Sequence, residues 1–429
     1  MKIINLDIVN EKLFYEKLDN GLDVYIIKKE KFYTEEAVLV TNFGGLDLEF
    51  VPINEDKMVT MPSGIAHFLE HKLFEQEDGE SVHDFYNKTG TYVNAATDYK
   101  TTKYYFVGVN NFYNNLNYLL DFVGSPYFTD ENVLKEKGII IEEANMCLDD
   151  IGRVFNQAIY KNLFNNIRYD KTVIGSIDDI KSITKEDLYR CYNTFYHPSN
   201  MALFIFTNKD ELEVLNVVKE NQSKKEYKKD FKIQKKIYNE DLSVRKEYEV
   251  IDADSRINRV CYSFKQSLKD YNMSLEKVSN YLSIMLDSLI GSLSNFNLEL
   301  KEKSIINGDI NFYFDKEKVV DDIILHIHIY ASPNDEELFI KLLEDEFNKI
   351  IVNEDDFNLY KKDNISYYNY SFNNLNKILY FLISKYENYG RIDEEIIKDE
   401  LNINYDEFKE VVKRFNIKNK YIVSLKKQN

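Results

Sequence analysis

The chain has 429 residues, of which 44% are hydrophobic, and a formal net charge of −18 from 55 Lys and Arg against 73 Asp and Glu. That length suits two domains of about 200 residues each, and the acidic excess argues against nucleic-acid binding, which needs clustered cations at phosphates. No uninterrupted apolar run approaches the roughly 20 residues of a membrane span, and residues 1–7 lack the apolar core and cleavage site of a secretory signal, so a cytoplasmic chain without membrane association is expected. Three cysteines, Cys147, Cys191 and Cys261, are odd in number and far apart, which points to reduced core thiols and away from a disulfide framework.

In chain order, strands are expected over 22–28 and 37–43. Pro62-Ser63-Gly64 then punctuates the chain, and a helix is expected to start there with Ser63 as N-cap and to close at Asp78-Gly79. Its apolar positions, Ile65, Ala66, Phe68, Leu69, Leu73 and Phe74, surround the run His67-Phe68-Leu69-Glu70-His71. On a helix His67 and His71 stand at i and i+4, so both imidazoles leave one face with Glu70 beside them. The order His-x-x-Glu-His reverses the more familiar His-Glu-x-x-His of zinc hydrolases. With six histidines in the whole chain, chance rarely supplies that pattern, and it outlines a hydrolytic metal site.

Two imidazoles do not complete a catalytic zinc site, which takes three protein ligands and leaves one position open. Residues 91–97, after the turn Thr89-Gly90, read as a strand carrying Asn94 and Ala95; taken alone it is equally an ordinary core strand. Another strand is expected over 103–109. The segment 129–146 opens with an N-cap signal at Thr129 and acidic first-turn residues and then runs as a strong helix. Glu136 and Glu143 are two turns apart on one face of it, but spacing alone does not choose Glu143 over Glu142.

A strand over 201–207 closes the first half, and residues 219–240 read as a charged connector. The same order of elements then returns: strands near 246–251 and 260–264, long helices to about 303, strands at 310–314 and 323–330, further helices, and a strand over 421–425. Two α+β units with one layout suggest an internal duplication. The second half has no His-x-x-Glu-His. His326 and His328 share a strand face and could hold a metal, but no acidic or sulfur partner is indicated, and exposed strand histidines are the plainer reading. His83 and His197 read as structural.

The runs Gly64-Ile65-Ala66-His67-Phe68-Leu69-Glu70-His71, Asn94-Ala95-x-Thr97, Thr102-x-Tyr104, Glu136-Lys137-x-Ile139-Ile140-x-x-Glu143 and Tyr196-x-Pro198-Ser199-Asn200 resemble peptidase family M16, the pitrilysin or insulinase family of zinc peptidases. His71-Lys72-Leu73-Phe74-Glu75 and Phe195-Tyr196-His197-Pro198-Ser199-Asn200 are similar to the single-unit M16B-type members of Gram-positive bacteria. The likeness is dense from about residue 14 to 210.

This resemblance implies an α+β fold of two similar domains, each a mostly antiparallel sheet packed with helices, as in mitochondrial processing peptidase. The zinc-binding peptidase domain would be residues 1–220, a charged linker 221–240, and a C-terminal domain without a zinc motif 241–429. It implies that His67, His71 and Glu143 bind one Zn2+ per chain, that Glu70 is the general base, that Glu136 is the second acidic residue supporting catalysis, and that the strand with Asn94 and Ala95 holds an extended peptide substrate. Many relatives carry in the second unit an Arg followed seven residues later by a Tyr; here Lys301 and Gly308 stand in their places. That departure points to a paralogous M16-like partner in a heterodimer, with a homodimer as the other assembly, closing a chamber that admits only peptides. The rival reading is a non-catalytic scaffold subunit, which has no need of His67, Glu70, His71 and Glu143.

Overall fold

A computed structural model describes residues 1–6, 9–227, 232–253, 255 and 257–427. Its elements in chain order are β1 (Lys2–Leu6), β2 (Glu11–Lys17), β3 (Asp23–Lys28), β4 (Glu35–Thr41), β5 (Glu49–Val51), β6 (Val59–Thr60), α1 (Ile65–Leu73), α2 (Val82–Asn87), β7 (Tyr92–Thr97), β8 (Thr102–Gly108), α3 (Phe112–Val123), α4 (Asp130–Asp149), α5 (Ile151–Leu163), α6 (Ile177–Ser182), α7 (Lys185–Phe195), β9 (Met201–Thr207), α8 (Glu211–Gln222) and β10 (Gln234–Lys235). They continue with β11 (Tyr248–Ala253), β12 (Arg259–Ser267), α9 (Leu275–Ile290), α10 (Asn295–Glu302), β13 (Asn311–Lys318), β14 (Ile323–Ala331), α11 (Glu336–Phe347), α12 (Glu354–Ser371), α13 (Leu375–Tyr389), α14 (Glu394–Leu401), α15 (Tyr405–Arg414) and β15 (Lys420–Lys427). Among the described residues no helix is long and apolar enough to cross a membrane.

The chain divides into two compact units: one is Met1–Met146, Lys171–Lys236 and Ser371–Glu394, the other Cys147–Asp170, Ile237–Tyr370 and Glu395–Asn429. One crossing, at 236/237, falls inside the charged stretch 221–240; the others, at 146/147, 170/171, 370/371 and 394/395, exist because each half lends a helix to the other sheet. Helix α5 packs on β12 and β15, and α13 packs on β9. Sequence distance hides this, since an amphipathic helix carries no label for the sheet that will bury it.

The first unit is built on a seven-stranded sheet of order β1-β2-β3-β9-β4-β8-β7, the second on a five-stranded sheet of order β11-β15-β12-β14-β13. The duplication expected from the sequence is plain here: β3 lies parallel to β9 as β11 does to β15, and the remaining neighbours in both runs are antiparallel. Strands β4 and β9 are buried along their whole length, consistent with a sheet covered on both faces. On one face α1 meets β7 and β8. Tyr386 of α13 lies edge-on to Phe204 of β9 at 5.8 Å and to Tyr25 of the neighbouring β3 at 6.2 Å.

Several expectations need correction. The charged connector is partly ordered: its start is the end of α8, and β10 pairs antiparallel with β5, because charged side chains do not prevent a main chain from completing an edge; its residues 228–231 lie outside the described residues. His326 and His328 are fully buried, not exposed: β14 is interior to its sheet and α5 lies over that face. Acidic partners are also present, Asp315 and Glu317 on β13. His83 and His197 are structural as expected, the first stacked on Phe74 with ring centroids 5.0 Å apart and the second accepting from the Ser199 backbone N–H at 3.2 Å. Cys191 and Cys261 are buried free thiols, whereas Cys147 is half-buried.

One core residue works against stability at neutral pH. Glu36 on β4 is 5% exposed and its Oε2 finds no hydrogen-bond partner among the described residues. Burial pushes its carboxyl up to about 7. The folded state therefore binds this proton more tightly than the unfolded chain does, so the stabilisation is complete below the unfolded value near 4.5 and is lost as pH rises through 7. The loss is of order 3 kcal/mol, and Glu36→Gln is expected to remove most of it. Urea unfolding of both proteins at pH 5 and pH 8 checks this: the wild type loses more stability between the two than the variant, and parallel losses would refute the assignment.

Candidate metal centre

Helix α1 forms because Ile65, Phe68, Leu69 and Leu73 recur at helical spacing and all are buried. His67, Glu70 and His71 fall on the adjoining face. Its N-cap is Gly64, at φ 87°, and not Ser63. Only glycine fits there: the conformation is left-handed, and a Cβ would strike the Ile174 carbonyl and Gly175. The Ser63 hydroxyl is 2.5 Å from Asp179 Oδ2 instead. The helix ends at Leu73, before Asp78-Gly79.

The 20-residue helix α4 begins as expected, with Thr129 Oγ1 accepting from the Asn132 N–H at 3.1 Å. It buries Val133, Ile140 and Ala144, and that packing turns Glu136 and Glu143 toward α1. Glu143 Oε2 stands 3.7 Å from His67 Nε2 and 3.6 Å from His71 Nε2. Tertiary packing thus chooses Glu143 over Glu142. Glu136 Oε1 is 3.0 Å from His71 Nδ1, so a proton held between them leaves His71 Nε2 with its lone pair facing Glu143. Burial opposes charge on His71, yet Glu136, Glu70 and Glu143 together raise its pKa above the usual imidazole value.

The fit to zinc can be judged from these separations. Tetrahedral zinc with bonds of 2.0–2.1 Å holds its donor atoms about 3.3 Å apart. The His67, His71 and Glu143 donor atoms lie within 4.8 Å of one another, and the two carboxylate–imidazole distances need close by only a few tenths of an ångström. These residues suit the metal.

Glu70 is 8% exposed. Burial pushes its carboxyl above the ordinary range, against the hydrogen bond from Thr97 and the charge of His71. Thr97 Oγ1 donates to Glu70 Oε2 at 2.6 Å. Thr97 was not indicated as a supporting residue by the sequence; its signal is its place two residues beyond Ala95, on the strand face turned to α1. Thr97→Val is expected to lower kcat about 10–100-fold with KM little changed, since a hydrogen bond to a charged group contributes about 1.5–3 kcal/mol. Steady-state kinetics on one peptide decides it, and an unchanged kcat rules out a positioning role.

Strand β7 pairs with β8 alone among the described residues and so leaves one edge of the sheet open. Ala95 faces α1 and is buried, whereas Asn94 turns to the opposite face, where its Nδ2 donates to the Tyr92 hydroxyl at 2.8 Å. The two residues expected to bind substrate are therefore not brought together by their side chains. What they share is main chain at the open edge.

Residues 60–176 match the profile of Insulinase (Peptidase family M16), and residues 182–364 match that of the Peptidase M16 inactive domain. The uncharacterized zinc protease YmfH of Bacillus subtilis is 38% identical over 323 residues, 74% of each chain. The chain belongs to peptidase family M16. A protein of Alicyclobacillus acidocaldarius described as M16-like shares the fold of this M16 chain with a TM-score of 0.86 at 24% identity, over 97% of this chain and 98% of the other. The periplasmic protease PqqL of Escherichia coli matches 97% of this M16 chain with a TM-score of 0.71 at 18% identity, but only 48% of its own length is covered.

Proposed function

We propose that this M16 chain is a zinc-dependent endopeptidase that hydrolyses short, unstructured peptides. The observation that carries the reading is the convergence of His67 Nε2, His71 Nε2 and Glu143 Oε2, with the Glu70 carboxylate held alongside by Thr97. One zinc held by the first three would polarise the scissile carbonyl and acidify water. Glu70 takes the proton of the attacking water and delivers it to the leaving amine nitrogen, a role suited to a carboxylate whose burial raises its proton affinity. Glu136 fixes the ring of His71.

The substrate lies along the open edge of β7 and adds to the sheet through main-chain hydrogen bonds with the Asn94 and Ala95 segment. Recognition of that kind takes any extended backbone and excludes folded proteins, which present no free strand. The donors that steady the oxyanion come from a partner. Lys301 is engaged by Asp309 at 2.5 Å and Gly308 has no side chain, so neither supplies them. A second copy would bring the same Lys and Gly, and a paralogous M16-like subunit in a cytoplasmic heterodimer, enclosing the peptide in a chamber, is the better fit.

The test is cleavage of a mixed library of unstructured peptides by the zinc-loaded chain, with Glu70→Gln as control. Cleavage that vanishes in the control supports a self-sufficient peptidase. Cleavage that appears only on adding a paralogous M16 subunit supports the heterodimer. No cleavage in either case favours a scaffold and sinks the proposal.

A further inference from the structure

The second unit holds another set of metal-ligating side chains, on residues that the peptidase reading does not use. His326 on β14 lies directly across the ladder from Asp315 on β13, and Glu317 follows two residues along the same strand, so the three side chains leave one face. One donor atom from each lies within 4.8 Å of the others, and His326 Nε2 is 3.9 Å from Glu317 Oε1. His326 is fully buried and Glu317 is 6% exposed. Asp315, on the edge strand, stays partly open to solvent and offers the way in.

The surroundings orient these groups. The Tyr169 hydroxyl donates to Glu317 Oε1. His326 Nδ1 is 2.8 Å from His328 Nε2, and His328 Nδ1 is 2.8 Å from Ser263 Oγ. Phe164 of the same unit stands edge-on to His326 at 5.1 Å. Lys265 lies opposite His326 on β12, but its ammonium is engaged by Glu240 at 3.0 Å and by the Asp241 carbonyl at 2.8 Å.

Two carboxylates bring two negative charges to a poorly hydrated place, which a doubly charged cation matches. When His326 donates its Nδ1 proton to His328, and His328 donates in turn to Ser263, the Nε2 lone pair of His326 points at the carboxylates. Metal-binding histidines are commonly held that way, by a hydrogen bond at the other ring nitrogen. The reversed chain, with Ser263 donating to His328 and His328 to His326, places a proton on Nε2 and gives a metal-free hydrogen-bond network. The imidazole with two carboxylate oxygens is the ligand set of zinc or manganese. We propose that Asp315, Glu317 and His326 form a second metal site, which takes zinc or manganese and ties edge strand β13 to β14.

The experiment uses the full chain carrying His67→Ala and His71→Ala, so that α1 contributes no ligand. The folded protein is loaded with zinc or with manganese, desalted and assayed for metal by mass spectrometry. About one equivalent of one metal is expected to remain and to fall at least about tenfold when Glu317→Gln is added. Crystals measured at the absorption edge of that metal should give an anomalous peak among the three side chains. Less than about a tenth of an equivalent of either metal overturns the proposal and favours the protonated network, and so does retention that Glu317→Gln leaves unchanged. Should the α1 variant fold poorly, titration of the wild type against a chromophoric chelator decides: two equivalents support the site and one overturns it. Neither readout involves peptide cleavage, so failure here is distinct from failure of the peptidase reading.

Discussion

Glu70→Gln is expected to reduce peptide cleavage by about 10³-fold while leaving metal content and the folded state intact. The substitution keeps the size and hydrogen-bonding shape of the side chain, and the Thr97 hydroxyl, 2.6 Å from Oε2, can still donate to the amide oxygen. What disappears is a group able to take a proton and give it back, worth 10²–10⁴-fold in general acid–base catalysis. Stability should not suffer, because burial already disfavours the charge that the variant removes. Kinetics on a single peptide, with bound zinc and the thermal midpoint measured on the same sample, check all three parts. Cleavage within tenfold of wild type would remove Glu70 from the proton path.

His71→Ala is expected to lower zinc content by one equivalent per chain and to bring cleavage to background. It deletes two interactions at once: the Nε2 that faces Glu143 at 3.6 Å and the Nδ1 that meets Glu136 at 3.0 Å. Glu136→Gln separates them. It leaves the three ligand atoms in place and disturbs only the hydrogen bond that orients one ring, so metal affinity should fall about 10–100-fold and activity should return when zinc is raised to saturation. Chelator competition and activity measured against free zinc distinguish the cases. If Glu136→Gln loses its metal as completely as His71→Ala does, Glu136 is a ligand and not a support.

Whatever depends on near neighbours along the chain was legible before any fold was known. The i, i+4 spacing of His67 and His71 put two imidazoles on one helical face, and short runs of apolar and β-forming residues marked β4, β8 and β9 to within two residues. The return of the same order of elements announced the duplicated sheet. Local reasoning failed where geometry outranked propensity: Gly64, not Ser63, caps α1 because Gly175 lies against it. Spacing left Glu142 and Glu143 open and the family resemblance named Glu143; the physical reason that Glu143 faces the histidines, the buried stripe of α4 fixing its rotation about its own axis, comes from the tertiary structure. It alone decided that Thr97 reaches Glu70, that α5 and α13 serve each other's half of the chain, and that His326 is buried beside Asp315 and Glu317. These are contacts between residues far apart in sequence. Their register is set by which faces pack together, a quantity that no single segment contains.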